Sequence, residues 1–147
     1  MQDFTYSLSL HIFHPDIDPG LISQALKLEP TGRTTKKGEP KTTPDGKPRD
    51  GCWEFSHWKH CFEVSAEKDF VPFLRRMVET LGPHREFLQR IVSECGEIEC
   101  FVGIFTDTNC DQILPFDLLG KLADLRIALR LDIYGSKLRQ KEHPKQP

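Results

Sequence analysis

The stretch from Ile98 to Tyr134 limits what this chain can fold into more than any other, because one apolar face runs through a strand pattern, a helix pattern and a second strand pattern in turn. Ile98, Cys100, Val102 and Ile104 alternate with Glu99, Phe101, Gly103 and Phe105, the two-residue period of a strand with one side in a core. Leu129, Leu131 and Ile133 alternate with Arg130, Asp132 and Tyr134 in the same way. Between them Phe116, Leu119, Leu122 and Ala123 recur at helical spacing, which predicts a helix that buries this stripe.

The start of the chain repeats the theme. Phe4, Tyr6, Leu8, Leu10 and Ile12 alternate with Thr5, Ser7, Ser9 and His11, predicting a strand with one apolar and one small polar face. Asp18 is placed to cap a helix, Pro19 suits its first turn, and Leu21, Ile22, Ala25 and Leu26 supply a buried stripe before Pro30. Residues 30–51 hold four Pro and four Gly among Thr, Lys and Asp, so they form a long loop with room for a hairpin. Trp53, Phe55 and His57 then alternate with Glu54, Ser56 and Trp58 as a second strand, and Trp53 is expected to bury its ring and anchor the loop. From Glu67 onward Phe70, Phe73, Leu74, Met77, Val78 and Leu81 follow the helical period to a break at Gly82-Pro83. A further helix carries Phe87, Leu88, Ile91 and Val92, with Gly96 as its cap.

Residues 4–58 and 98–134 thus each run strand, helix, strand, with helices between them. Two such halves predict a four-stranded, largely antiparallel sheet with helices on one face: a ferredoxin-like α+β fold enlarged by the middle helices. A length of 147 residues suits one domain over residues 1–135. The tail over 136–147 is expected to be disordered. No apolar run approaches a membrane span, and residues 1–20 lack a basic start leading into an apolar segment, so a cytoplasmic location is expected. Five cysteines without a paired spacing argue against a disulfide framework, and Cys100 falls on the core face of its strand.

Several short motifs stand in a recognisable order. They are Leu28, Glu29, Pro30 and Thr31 after the first helix, Lys37, Gly38 and Glu39 in the loop, Gly51 and Trp53 before the next strand, and Asp132, Ile133 and Tyr134 at the end. In this the chain resembles the bacterial family called domain of unknown function 4279, over nearly the whole domain. The resemblance implies a small cytoplasmic bacterial protein with no established activity, and it carries over no catalytic residues.

The net charge of −2 hides a segregation: residues 31–51 and residues 136–147 each carry a net +3, which leaves −8 for the remainder. Such a body repels phosphates, so no specific nucleic acid is expected, although Phe101 and Phe105 occupy strand positions like those on which RNA-recognition domains stack bases. Cys52, His57, His60 and Cys61 could each ligate zinc, but their spacing fits no structural site. Asp107, Asn109 and Asp111 open like a calcium loop, yet Gln112 and Leu118 stand where that loop needs Gly and Glu. Ser7, Ser9 and His11 share a strand face, with Asp132 on the same side of the sheet, but no nucleophile elbow accompanies them. Neither a metal nor a cofactor is therefore expected.

Two functions remain. The first is a non-catalytic protein-interaction module, with an immunity-type neutraliser of a basic toxin as its sharpest form and a homodimer as another. Its contact residues are expected among Lys37, Glu39, Trp53, His11, Phe101 and Tyr134. The alternative is a small-ligand domain or enzyme whose pocket lies between the 31–51 loop and the sheet, lined by Lys37, Trp53, His11 and Tyr134.

Overall fold

The computed structural model describes residues 4–64 and 69–135. The expected tail disorder after residue 135, and Glu67 ahead of the middle helix, lie outside them. Strand β1 spans Thr5–His14, helix α1 Pro19–Leu26, the hairpin strands β2 Pro40–Thr42 and β3 Pro48–Cys52, and strand β4 Ser56–Phe62. Helix α2 spans Phe70–Leu81 and passes through a 3₁₀ turn at Gly82–His84 into α3, Arg85–Ser93; β5 is Glu97–Phe105, α4 is Phe116–Asp124 and β6 is Ile127–Tyr134. The result is a mixed α+β fold: a four-stranded, mostly antiparallel sheet in the order β4-β1-β5-β6, with the two-stranded β2-β3 sheet beside it.

Local chemistry explains most element ends. The Asp18 carboxylate accepts a hydrogen bond from the Gly20 amide at 3.0 Å, capping α1 as expected. At the end of α3 the left-handed residue is Cys95, at φ 70°, and not Gly96. The Cys95 amide donates to the Val92 carbonyl and the Gly96 amide to that of Ile91, the paired bonds of a Schellman cap. Gly96 is needed for space: a Cβ there would lie 2.7 Å from the Ile91 carbonyl oxygen and 2.8 Å from that of Phe13.

The strand order departs from the ferredoxin-like expectation. In that arrangement a strand of one half separates the two strands of the other, whereas here the two strands of each half pair directly. β1 pairs antiparallel with β4 from Leu8↔Phe62 to His14↔Ser56, and β5 pairs parallel with β6 from Ile98↔Ile127 to Phe105↔Tyr134. The long segment after α1 makes the first pairing possible, because it carries the chain back to the end of β1 before β4 starts. On the way it runs along the outer edge of β4, where the Thr31 amide donates to the Lys59 carbonyl and Thr35 exchanges both backbone bonds with His57.

One face of the sheet carries the core. Tyr6, Leu8, Leu10 and Ile12 of β1 and Ile98, Cys100, Val102 and Ile104 of β5 are buried, as the alternation predicts, against Ile22, Leu26, Leu74, Leu81, Leu88 and Ile91 of the helices. Burial pushes the Cys100 thiol up to about 12, so it acts as a small hydrophobe beside Met77.

Two side-chain expectations fail here. The tryptophan in the core is Trp58, at 0 % exposed, because β4 begins at Ser56; Trp53 precedes the strand and is only half-buried. In α4 the core-facing stripe is Leu118 and Leu122, continued by Leu125 just past its end, while Phe116 is 90 % and Leu119 45 % exposed. Two apolar stripes overlap in that helix, and only its packing against neighbouring elements selects between them.

Candidate functional site

With the core on one face, the alternate residues of the strands form the other, and no described helix packs against it. Its centre is a set of rings from three strands. Phe13 of β1 stacks on His57 of β4 with centroids 4.6 Å apart, and His57 stacks on His11 at 5.3 Å. His11 meets Phe101 of β5 at 5.8 Å, and Phe55, 47 % exposed, tilts against Phe13 at 6.1 Å. The strand register brings them together, since His11 lies between Lys59 of β4 and Glu99 of β5, and Phe13 between His57 and Glu97.

A polar chain crosses the same patch. Ser9 Oγ lies 3.0 Å from His11 Nε2, and His11 Nδ1 lies 3.1 Å from His57 Nε2. Burial lowers both imidazoles, with Lys59 adding to the effect, and His57 is brought down to about 4 by burial and then by His11. Both rings are therefore neutral at pH 7, and one proton order must run the length of the chain. Either the Ser9 hydroxyl donates toward His11 and His57 Nδ1 ends as a donor, or the order reverses and Nδ1 ends as an acceptor. Beside it the Arg130 guanidinium donates to the Glu99 carboxylate at 2.8 Å.

The chain of Ser9 and two histidines has the outline of an acyl-transfer triad. Asp132 lies on the same side of the sheet, as expected, but on β6, where it accepts the Tyr134 hydroxyl; the group next to His11 is His57. Ser9, however, sits mid-strand with ladder partners Cys61 and Phe101 on both sides, not on a nucleophile elbow. The backbone N–H groups that would form an oxyanion hole belong to the sheet. What the patch offers is stacked apolar rings with hydrogen-bonding ends.

The expected site residues separate into three places. Lys37, Glu39 and Trp53 meet at the base of the β2-β3 hairpin, where the Gly38 amide donates to the Trp53 carbonyl and the Trp53 amide to that of Glu39. The Trp53 ring lies under Arg33 at 5.4 Å and Lys41 at 5.8 Å, and Lys37 and Glu39 are exposed. His11 and Phe101 share the central patch. Tyr134 stacks on Phe105 opposite Thr5, at the other end of β1 from Ser56. Nine strand steps, about 30 Å, separate those ends, so Tyr134 cannot share a pocket with Lys37. Sequence reasoning left Phe13, Phe55 and His57 out of the site. Phe13 extends the alternation of its strand, but the contact between His57 and His11 depends on a cross-strand register that sequence spacing does not contain.

The zinc candidates also disperse: His60 Nδ1 lies 2.6 Å from the Glu29 carbonyl oxygen, His57 is on the open face, and Cys52 closes the hairpin. Among the described residues no three His, Cys, Asp or Glu side chains are placed to hold a metal ion, and no helix is long and apolar enough to cross a membrane.

Fold and patch together define an α+β domain with one helix-covered sheet face and one open face bearing an aromatic and histidine cluster. The chain belongs to the family described as domain of unknown function DUF4279, whose profile matches residues 4–136. Comparison with curated proteins and with solved structures found no match.

Proposed function

We propose that this chain is a non-catalytic protein-interaction domain that docks a protein partner on its open sheet face. The observation that carries this reading is the ring cluster of Phe13, His57, His11 and Phe101 on a sheet face that no described helix covers. Aromatic side chains in a central, partly desolvated patch with polar groups around them are the usual composition of binding hot spots. The mid-strand position of Ser9 weighs against hydrolysis. Charge narrows the partner, because the acidic body favours fast encounter with a basic protein. An immunity-type role against a basic toxin, in the bacterial cytoplasm that the family resemblance implies, is the form that fits best. Five free cysteines are consistent with a reducing compartment.

The experiment is affinity capture from the native organism with the wild-type chain, Phe101→Lys and Lys37→Ala. The expected result is a basic protein retained in stoichiometric amount by the wild type and Lys37→Ala and lost by Phe101→Lys. Capture that Phe101→Lys leaves intact overturns the assignment to this face. A metabolite that raises the melting temperature while no protein is captured overturns the class.

A further inference from the structure

We propose that two copies of this chain associate edge to edge through β6, antiparallel about a two-fold axis at Leu131, joining their sheets into one of eight strands. This surface is separate from the open face. The two edges of the sheet are treated differently: the outer edge of β4 is covered by residues 31–35, whereas β6 ends the strand order and carries no Pro or Gly in its eight residues. An edge of this length that no described residue covers is a template for another strand.

The side chains around that edge are apolar. Leu131 is 49 % and Ile133 54 % exposed although both lie on the core side of the strand, opposite Val102 and Ile104 of β5. The parallel pairing of β5 and β6 makes α4 run back antiparallel to β6, so its first turn lies beside the Leu131–Ile133 end. One flank of α4 faces the other helices, through Asp117 with Arg75 and Asp124 with Arg85, each at 2.7 Å. Leu119 falls about 200° round the helix from Asp117 and therefore overhangs the β6 edge, with Phe116 next to it. Leu131, Ile133 and Leu119 are thus each about half exposed along this edge, with Phe116 on the outer side of the helix above them.

The sequence of β6 then selects the register. In a continuous sheet, paired residues must share a face, so the axis has to pass through a residue position. Centring it on Leu131 puts Leu129 opposite Ile133 of the second copy on the helix side, and Arg130 opposite its Asp132 on the open side. Shifting the axis to Arg130 or Asp132 sets that residue against its own like charge, which is unfavourable. Opposite charges one residue either side of a central leucine make this edge complementary to itself.

The test is sedimentation equilibrium of the full-length chain over a range of concentrations. Wild type is expected to be a dimer, and Leu131→Arg a monomer with an unchanged circular dichroism spectrum. Asp132→Arg and Arg130→Asp should each raise the dissociation constant at least tenfold, and the double exchange should restore it, since opposite charges would again face each other across the axis. Because Arg130 also pairs with Glu99, melting curves of each variant separate loss of association from loss of folding. A wild type that stays monomeric throughout overturns the proposal. So does a dimer that survives Leu131→Arg, or one that ignores both charge reversals or dissociates on Phe101→Lys alone.

Discussion

The two tryptophans have different burdens in this fold, and the difference can be weighed. Trp58 is 0 % exposed, pairs with Ile12 across β1 and β4, and donates from Nε1 to the Ser23 hydroxyl at 3.0 Å, joining sheet to α1. An aromatic ring removes about 200 Å² from water, worth roughly 5 kcal/mol at 25 cal/mol per Å², and substitution by Ala keeps only the β-carbon. Trp58→Ala is therefore expected to cost about 3–5 kcal/mol. Trp53 is half-buried outside the core, with Arg33 and Lys41 over its ring, so Trp53→Ala uncovers less surface and should cost less than Trp58→Ala. Urea unfolding followed by far-ultraviolet circular dichroism measures both without depending on tryptophan emission. With a slope of about 2 kcal/mol per molar urea, the midpoint should fall by about 1.5–2.5 M for Trp58→Ala and by less for Trp53→Ala. Equal shifts, or a larger shift for Trp53→Ala, would refute the assignment of the core position to Trp58.

Gly96→Ala should destabilise by about 1–3 kcal/mol, because the new Cβ meets two backbone carbonyl oxygens that cannot rotate away; a melting temperature within a degree of wild type would contradict this. His57 should make stability pH-dependent. Its folded value of about 4 lies below the ordinary 6.5, chiefly through burial, so the unfolded chain binds the extra proton between these values. Stability attributable to His57 is thus greatest above about pH 6.5, falls as pH drops toward about 4, and changes little below that. His57→Phe should flatten this part of the profile, and an unchanged slope would show that the burial of His57 is not its source.

Much of the scaffold was legible in the residues themselves, because periodicity and capping are local. The alternation of Tyr6 through Ile12 and of Ile98 through Ile104 reported their buried faces, since a strand turns each side chain to the opposite side from the last. Asp18-Pro19 and Gly82-Pro83 marked helix ends because a carboxylate reaches its own first turn and a proline ring cannot continue an old one. Local pattern could not say which of two overlapping stripes of α4 would turn inward, since both Leu119 and Leu118 sit at valid helical spacing. That choice came from the neighbours, through the pairing of Asp117 and Asp124 with α2 and α3.

The strand order was equally non-local. Whether β4 lies directly beside β1 depends on the path of the long segment between them, whose Thr31 and Thr35 bonds to β4 join residues more than twenty positions apart. The candidate site inherits that dependence. His11 and Phe101 could be proposed from the chain because each lies on the polar side of a readable strand. Their meeting with His57 and Ser9 needed the β4-β1-β5 register, in which residues 46 positions apart share a hydrogen bond. Sequence by itself determined most of the elements and the apolar faces of β1 and β5, because these follow from backbone geometry and side-chain type within a few residues. Tertiary structure decided which faces met, which tryptophan was enclosed and which strand was left at the edge, because those outcomes follow from packing surfaces brought together from distant parts of the chain.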